Sequence, residues 1–79
     1  MKVKVLYFAL LRERRGLSEE EIEGTFRTVN ELYEHLDGLH RLGMAMSQLR
    51  AAVNGMFVDM GHELTESDTV VFIPPVAGG

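Results

Sequence analysis

Only one segment of this chain carries an unbroken helical period, and that limits the fold more than any other feature. Thr28-Val29-Asn30-Glu31 reads as a capping box: the threonine hydroxyl accepts from the amide three residues on, and the glutamate reaches back to the threonine amide. Val29, Leu32, Leu36 and Leu39 follow at helical spacing and Asp37-Gly38 offers a stop, which predicts a helix over residues 29–37.

Most of the remainder reads as strand. Residues 2–8 alternate, with Val3, Val5 and Tyr7 on one side and Lys2, Lys4, Leu6 and Phe8 on the other. The lysines turn that second side toward water. Ala9 to Arg15 predicts a short helical turn ended by Gly16. Ile22, Gly24 and Phe26 alternate with Glu21, Glu23 and Thr25 as a second strand. Residues 39–49 are mixed and are read as a short second helix. Ala51-Ala52-Val53 and Met56-Phe57-Val58 flank Asn54-Gly55, the pair that a type I′ hairpin requires because both its central residues have positive φ. Residues 63–68 are polar and loop-like. Thr69 to Ile73 is β-branched and aromatic, and predicts a strand buried at the sheet centre.

Four or five strands and one main helix cannot cover both faces of a sheet. They predict an α+β roll with the helix on one face and the other face open. A first and last strand running parallel in the middle of a mixed sheet satisfies the right-handed crossover rule. That arrangement is the β-grasp, the ubiquitin-like shape, here expected over residues 1–73 with 74–79 as an extended tail.

The chain has 79 residues and no cysteine. One domain is all this length supports, and packing alone must hold it, without disulfides or thiolate metal sites. A net charge of −4 argues against nucleic acid, whose phosphates reward a basic face. The apolar stretch near the N-terminus is too short to span a membrane. No membrane partner and a cytoplasmic location are the expectations.

Catalytic machinery is not visible. His35, His40 and His62 have no ordered metal-ligand spacing and read as solvated surface residues. No glycine-rich loop lies between a strand and a helix, and no hydroxyl has a base that can be placed beside it. The chain is expected to hold no cofactor stably.

The chemistry is expected in the tail, Pro74-Pro75-Val76-Ala77-Gly78-Gly79. The two prolines lack amide donors, so they end the last strand and hold the exit extended. At about 3.1 Å per residue in a polyproline-like path, six residues reach roughly 19 Å. Side-chain size falls from valine to glycine, so a partner's backbone can close around a narrow thread. The carboxylate of Gly79 would then enter another protein's active site. A carboxylate is a poor electrophile until activated, and ATP can activate it as an acyl-adenylate open to displacement by sulfur.

Val5-Leu6-Tyr7-Phe8-Ala9 with Leu11-Arg12-Glu13, Thr28-Val29 with Glu31-Leu32, Ala52-Val53-Asn54, Leu64-Thr65 with Asp68, and Phe72 through Gly79 together carry a resemblance. The chain resembles the small, sulfur-carrier subunit of molybdopterin synthase, the ubiquitin-like MoaD family, nearly end to end. The resemblance implies that a ubiquitin-activating-like adenylyltransferase uses ATP to adenylate Gly79, and that sulfur replaces the adenylate to give a thiocarboxylate. It implies docking into the molybdopterin synthase large subunit, as a heterotetramer, and sulfur donation to cyclic pyranopterin monophosphate. The other groups acting on the pterin would belong to the large subunit.

A docking surface can also be read from the residues. If the first and last strands are neighbours, Phe8 and Ile73 form an exposed apolar patch on the face away from the helix. The resemblance adds Phe57 and Arg12 as partner contacts. Other uses of such a tail are a carrier for thiazole or another thiolated product, and a ubiquitin-like modifier joined to lysines.

Overall fold

Val3, Val5 and Tyr7 are fully buried while Lys2 and Lys4 are exposed, so the alternation of the first strand decides which sheet face is covered. The computed structural model describes residues 1–75. Its elements are β1 (Lys2–Tyr7), α1 (Ala9–Arg15), β2 (Glu19–Glu23), α2 (Val29–His40), β3 (Arg50–Val53), β4 (Met56–Val58) and β5 (Thr69–Ile73). The strand order is β2-β1-β5-β3-β4. Only β1 and β5 pair in parallel, at the centre, with Leu6 opposite Val71 and Tyr7 opposite Phe72; the other three pairings are antiparallel. This is the β-grasp roll expected from the order of elements.

The core lies between the sheet and α2. Val29, Leu32, Tyr33 and Leu36 from the helix join Val3, Val5, Tyr7, Val70 and Phe72 from the two central strands. Tyr33 meets Phe72 edge-on with ring centroids 5.4 Å apart, a favoured aromatic geometry. Burying each such aliphatic side chain contributes about 1.5–3 kcal/mol, which lets a domain this small stand without crosslinks. The hairpin turn is as expected: Asn54 and Gly55 have φ of 51° and 87°.

Several features differ from the sequence reading. α2 continues through Gly38 to His40 and ends at Arg41, whose left-handed backbone (φ 53°) directs its amide to the Asp37 carbonyl. The Asp37 carboxylate then accepts from Gly43 at 2.8 Å. Asp37 thus ties down the exit instead of stopping the helix, and Leu42 becomes the core residue while Leu39 is 61% exposed. The capping box is half formed. Thr28 Oγ1 accepts from Glu31, but the Glu31 carboxylate reaches the Arg27 amide. The His62 and Met60 carbonyls satisfy the first helical amides.

β2 begins at Glu19 and ends at Glu23. The chain bends at Gly24, where Phe26 folds so closely that a Cβ would lie 2.9 Å from its ring; Phe26 reaches the core from outside the strand. Of residues 39–49, read as a short second helix, Leu39 and His40 finish α2 and Met46–Gln48 forms a 3-10 turn. The rest is fixed by side chains: the Tyr33 hydroxyl donates to the Met44 carbonyl and accepts from the Met44 amide. Among the described residues, no helix is long and apolar enough to cross a membrane.

Candidate functional site

The open sheet face is built row by row. Glu19, Leu6, Val71, Ala52 and Phe57 lie side by side across the strands, giving an apolar band with a charged end. The next row pairs Ile73 with Arg50. Lys4 bonds Glu19 at 2.9 Å with both side chains about half exposed, so this part of the face is solvated as expected. Such a pair contributes little to stability.

At the end of β5 the ladder stops because the next two residues have no amide hydrogen. Pro74 is buried and Pro75 exposed, so the chain leaves the globule one residue later than the sequence reading placed it. Phe8, Ala9 and Leu10 from the start of α1, Met44 from the loop after α2, and Ile73, Pro74 and Pro75 line an apolar groove of about 580 Å³. Phe8 and Ile73 are therefore brought together at the root of the tail.

Phe8 is extended and precedes α1, and its carbonyl accepts from the Leu11 and Arg12 amides. Ala9 follows with φ 50°, a left-handed conformation that costs an ordinary residue about 1–2 kcal/mol. That turn leaves Phe8 46% exposed and Leu10 38% exposed while Leu11 is fully buried. Arg12 is exposed on α1. Phe57, 69% exposed, belongs to the open face but lies across β3 from Ile73, away from the groove. Val76, Ala77, Gly78 and Gly79, the tail residues of the sequence reading, lie outside the described residues.

Two arginines that carry no obvious task in the sequence hold α1 in place. Arg14 donates to the Leu42 carbonyl. Arg15 bonds both carboxylate oxygens of Glu20 at 2.7 Å, and Tyr7 donates its hydroxyl to the same carboxylate at 2.7 Å. The Arg15 hydrogen bonds lower the Glu20 pKa. Burial first, then the Glu20 hydrogen bond and charge, push the Tyr7 phenol far above its usual range, so it stays protonated as a donor.

A second network holds the start of β5. The buried Asp68 carboxylate accepts from the Thr65 amide at 2.8 Å, the Thr65 hydroxyl at 3.0 Å and the Asn54 side chain at 2.8 Å. Asn54 Oδ1 accepts in turn from the Thr69 amide. Burial alone would raise the Asp68 pKa, but the hydrogen bonds from Thr65 and Asn54 outweigh it and hold the group below the usual carboxylate range. The only sequence sign of this network is the spacing of Thr65 and Asp68.

None of this is a catalytic constellation. His35 lies 6.0 Å from the Phe26 ring, and among the described residues no group of three or more His, Cys, Asp or Glu gathers that could hold a metal. The networks hold α1 and the two ends of β5, from Asp68 to Pro75.

Residues 5–79 match the ThiS family, a span that runs from the middle of β1 through the terminal glycines. The chain belongs to that family. This ThiS-family protein is 40% identical over 80 residues to the molybdopterin synthase sulfur carrier subunit of Escherichia coli (strain K12), covering 98% of this chain and 99% of that one. It is similar to a solved structure from Pyrococcus furiosus, a candidate subunit 1 of molybdopterin converting factor, at 36% identity and a TM-score of 0.79. That match covers 96% and 99% of the two chains. A chain of the protein-protein complex of subunits 1 and 2 of molybdopterin-converting factor from Helicobacter pylori 26695 shares the fold at 24% identity and a TM-score of 0.69 over the whole of both chains. The ThiS-family match reaches the tail as well as the globule, and the relatives agree with this chain over nearly their full lengths.

Proposed function

We propose that this chain is a sulfur carrier in molybdenum cofactor biosynthesis, with the Gly79 carboxylate as its reactive group. In the first step the carboxylate attacks the α-phosphorus of ATP on a ubiquitin-activating-like adenylyltransferase and releases pyrophosphate. Hydrosulfide then attacks the acyl carbon, AMP leaves, and a C-terminal thiocarboxylate results. The charged carrier docks its tail into the molybdopterin synthase large subunit, where its sulfur takes the place of an oxygen substituent on a carbon of cyclic pyranopterin monophosphate; water then cleaves the acyl–sulfur bond and restores the Gly79 carboxylate. A dithiolene holds two sulfurs, so two charged carriers serve each product, in keeping with a heterotetramer of two small and two large subunits.

The observation that carries this reading is the placement of the tail root. The prolines extend from a central strand held on both sides, beside an exposed apolar surface that includes Phe8 and Ile73. A rigid base with a slender end suits insertion into a partner, since little order is lost on binding. The relatives' names and the solved pairing of subunits 1 and 2 in Helicobacter pylori support the same assignment.

The test is intact-mass measurement after incubation with the activating enzyme, ATP and a sulfur donor. The expected gain corresponds to one oxygen replaced by sulfur, located at Gly79 by fragmentation. An unchanged mass, with the same enzyme active on a known carrier, would refute the proposal.

A further inference from the structure

The chain has two asparagines, Asn30 and Asn54, and only Asn54 precedes a glycine. Asn54 and Gly55 form the exposed tip of the β3–β4 hairpin. We propose that Asn54 is a modification site, at which the side-chain amide converts to a carboxylate without a catalyst, and that the Asp68 network is the clamp that sets the rate. The inference is independent of the sulfur-carrier reading, since it concerns the end of β5 away from Pro74.

The chemistry needs only water. The Gly55 amide nitrogen attacks Asn54 Cγ and gives up its proton, ammonia leaves, and a five-membered succinimide ring joins the two residues. Water then opens the ring at either carbonyl. One opening leaves aspartate in the ordinary backbone; the other leaves isoaspartate, with the chain routed through the β-carbon. Either product has an oxygen in place of the amide nitrogen and carries a new negative charge at neutral pH. Glycine favours the first step, because no side chain shields its nitrogen and its backbone turns freely. A Cβ at Gly55 would meet nothing within 4 Å, so the turn is open to water.

The fold works against the attack. Asn54 Oδ1 accepts from the Thr69 amide at 2.9 Å, and its Nδ2 donates to Asp68 Oδ1 at 2.8 Å. The Asn54 backbone amide donates to the Thr69 carbonyl at 2.9 Å. Both ends of the side-chain amide are thus engaged by residues 68 and 69 and not by Gly55. Asp68 is anchored in turn by the Thr65 amide and hydroxyl, so it cannot follow a swinging Asn54. Ring closure requires the side chain to leave both partners and turn toward its own next amide. Conversion therefore proceeds through local opening at the start of β5, a smaller event than unfolding. Asn30 supplies the contrast. It lies in the first turn of α2, and the Glu31 amide that would attack it already donates to Thr28 Oγ1.

The product undoes the clamp. A carboxylate at position 54 has no donor for Asp68, so two like charges meet where a hydrogen bond stood. Val53 pairs with Val70 beside this point, and that end of the β3–β5 ladder opens more often. β5 stays paired with β1 on its other side. Ammonia is lost to solvent, so the change is permanent and accumulates with the age of each copy.

The test follows intact and fragment mass of the full chain during incubation in mildly alkaline buffer, for wild type and Asp68→Asn. Slow replacement of NH₂ by OH is expected at Asn54 in wild type, and none at Asn30. Asp68→Asn weakens the clamp and is expected to speed the change at Asn54 about tenfold. Equal rates in the two proteins overturn the clamp. No change at Asn54 in folded wild type, while the urea-unfolded chain converts, overturns the site. Asn54→Asp, one of the two products, is expected to quicken hydrogen exchange of the Thr69 amide about tenfold; unchanged exchange overturns the consequence drawn for the ladder. If Asp68→Asn does not fold, wild type in urea below its unfolding transition decides. Conversion must then rise in step with exchange of the Thr69 amide, and a rate that stays flat as that exchange rises overturns the clamp.

Discussion

Replacing Asp68 with asparagine changes no shape, yet it should cost about 2 kcal/mol at pH 7. The carboxylate accepts on both oxygens: Oδ2 from the Thr65 amide, Oδ1 from the Asn54 side-chain nitrogen and the Thr65 hydroxyl. An amide offers one acceptor oxygen and one donor nitrogen. If its nitrogen takes the Oδ2 position it faces the Thr65 N–H; if it takes the Oδ1 position it faces the Asn54 NH₂. Asn54 cannot rotate freely to escape, because its oxygen accepts from the Thr69 amide. Either way one buried donor is left opposed to another donor, at a cost of about 1–3 kcal/mol. Against a total stability of roughly 4–12 kcal/mol for a domain of this length, urea denaturation resolves that loss easily.

The pH dependence gives the sign. Asp68 is held below the usual carboxylate range in the folded protein, and an unfolded aspartate titrates near pH 4 (about 3.9). A depressed folded pKa contributes stability that is complete above the unfolded value and is lost as pH falls through the folded one. The gap between wild type and Asp68→Asn should thus be constant from neutral pH down to about pH 5 and shrink below about pH 4. Glu20 is also depressed, but it is present in both proteins and cancels in the comparison. A gap under about 0.5 kcal/mol at pH 7, within the range of ordinary surface substitutions, or one that does not shrink in acid, would refute this account of the network.

Two further outcomes follow from the site. Tyr7→Phe removes the hydroxyl that donates to Glu20 but leaves the Arg15 pair, so thermal denaturation should show a loss of about 1 kcal/mol; a loss above about 3 kcal/mol would mean the ring itself had moved. Phe8→Ala removes a half-exposed ring, and should lower stability by less than about 1 kcal/mol while weakening large-subunit binding clearly; a core-sized loss would place Phe8 in the interior.

The topology was legible because burial enforces a period of two along strands and of 3.6 along the helix. Val3, Val5 and Tyr7 must share a face whatever their neighbours are, and Asn54-Gly55 carries its turn type in two residues. Features set by contacts between distant residues were not legible. Gly38 looks like a helix stop, but Asp37 binds forward to Gly43, and Leu42 is drawn inside in place of Leu39. Phe26 continues the alternation of β2 in sequence, while Gly24 bends the backbone away. The meeting of Phe8 and Ile73 was readable once β1 and β5 were taken as neighbours. Met44 was not, because its position depends on the Tyr33 hydroxyl and on Arg14, neither of which carries a local pattern.

The parallel pairing of β1 with β5 joins the first and last strands of the described residues. Neither can finish its hydrogen bonding until residues 69–73 have been made, so closure is nonlocal. A copy broken off ahead of Thr69 lacks the middle of its sheet and has nothing to fold around. Any copy that does reach the native state therefore carries β5 paired on both sides through Ile73, with the two prolines next in the chain.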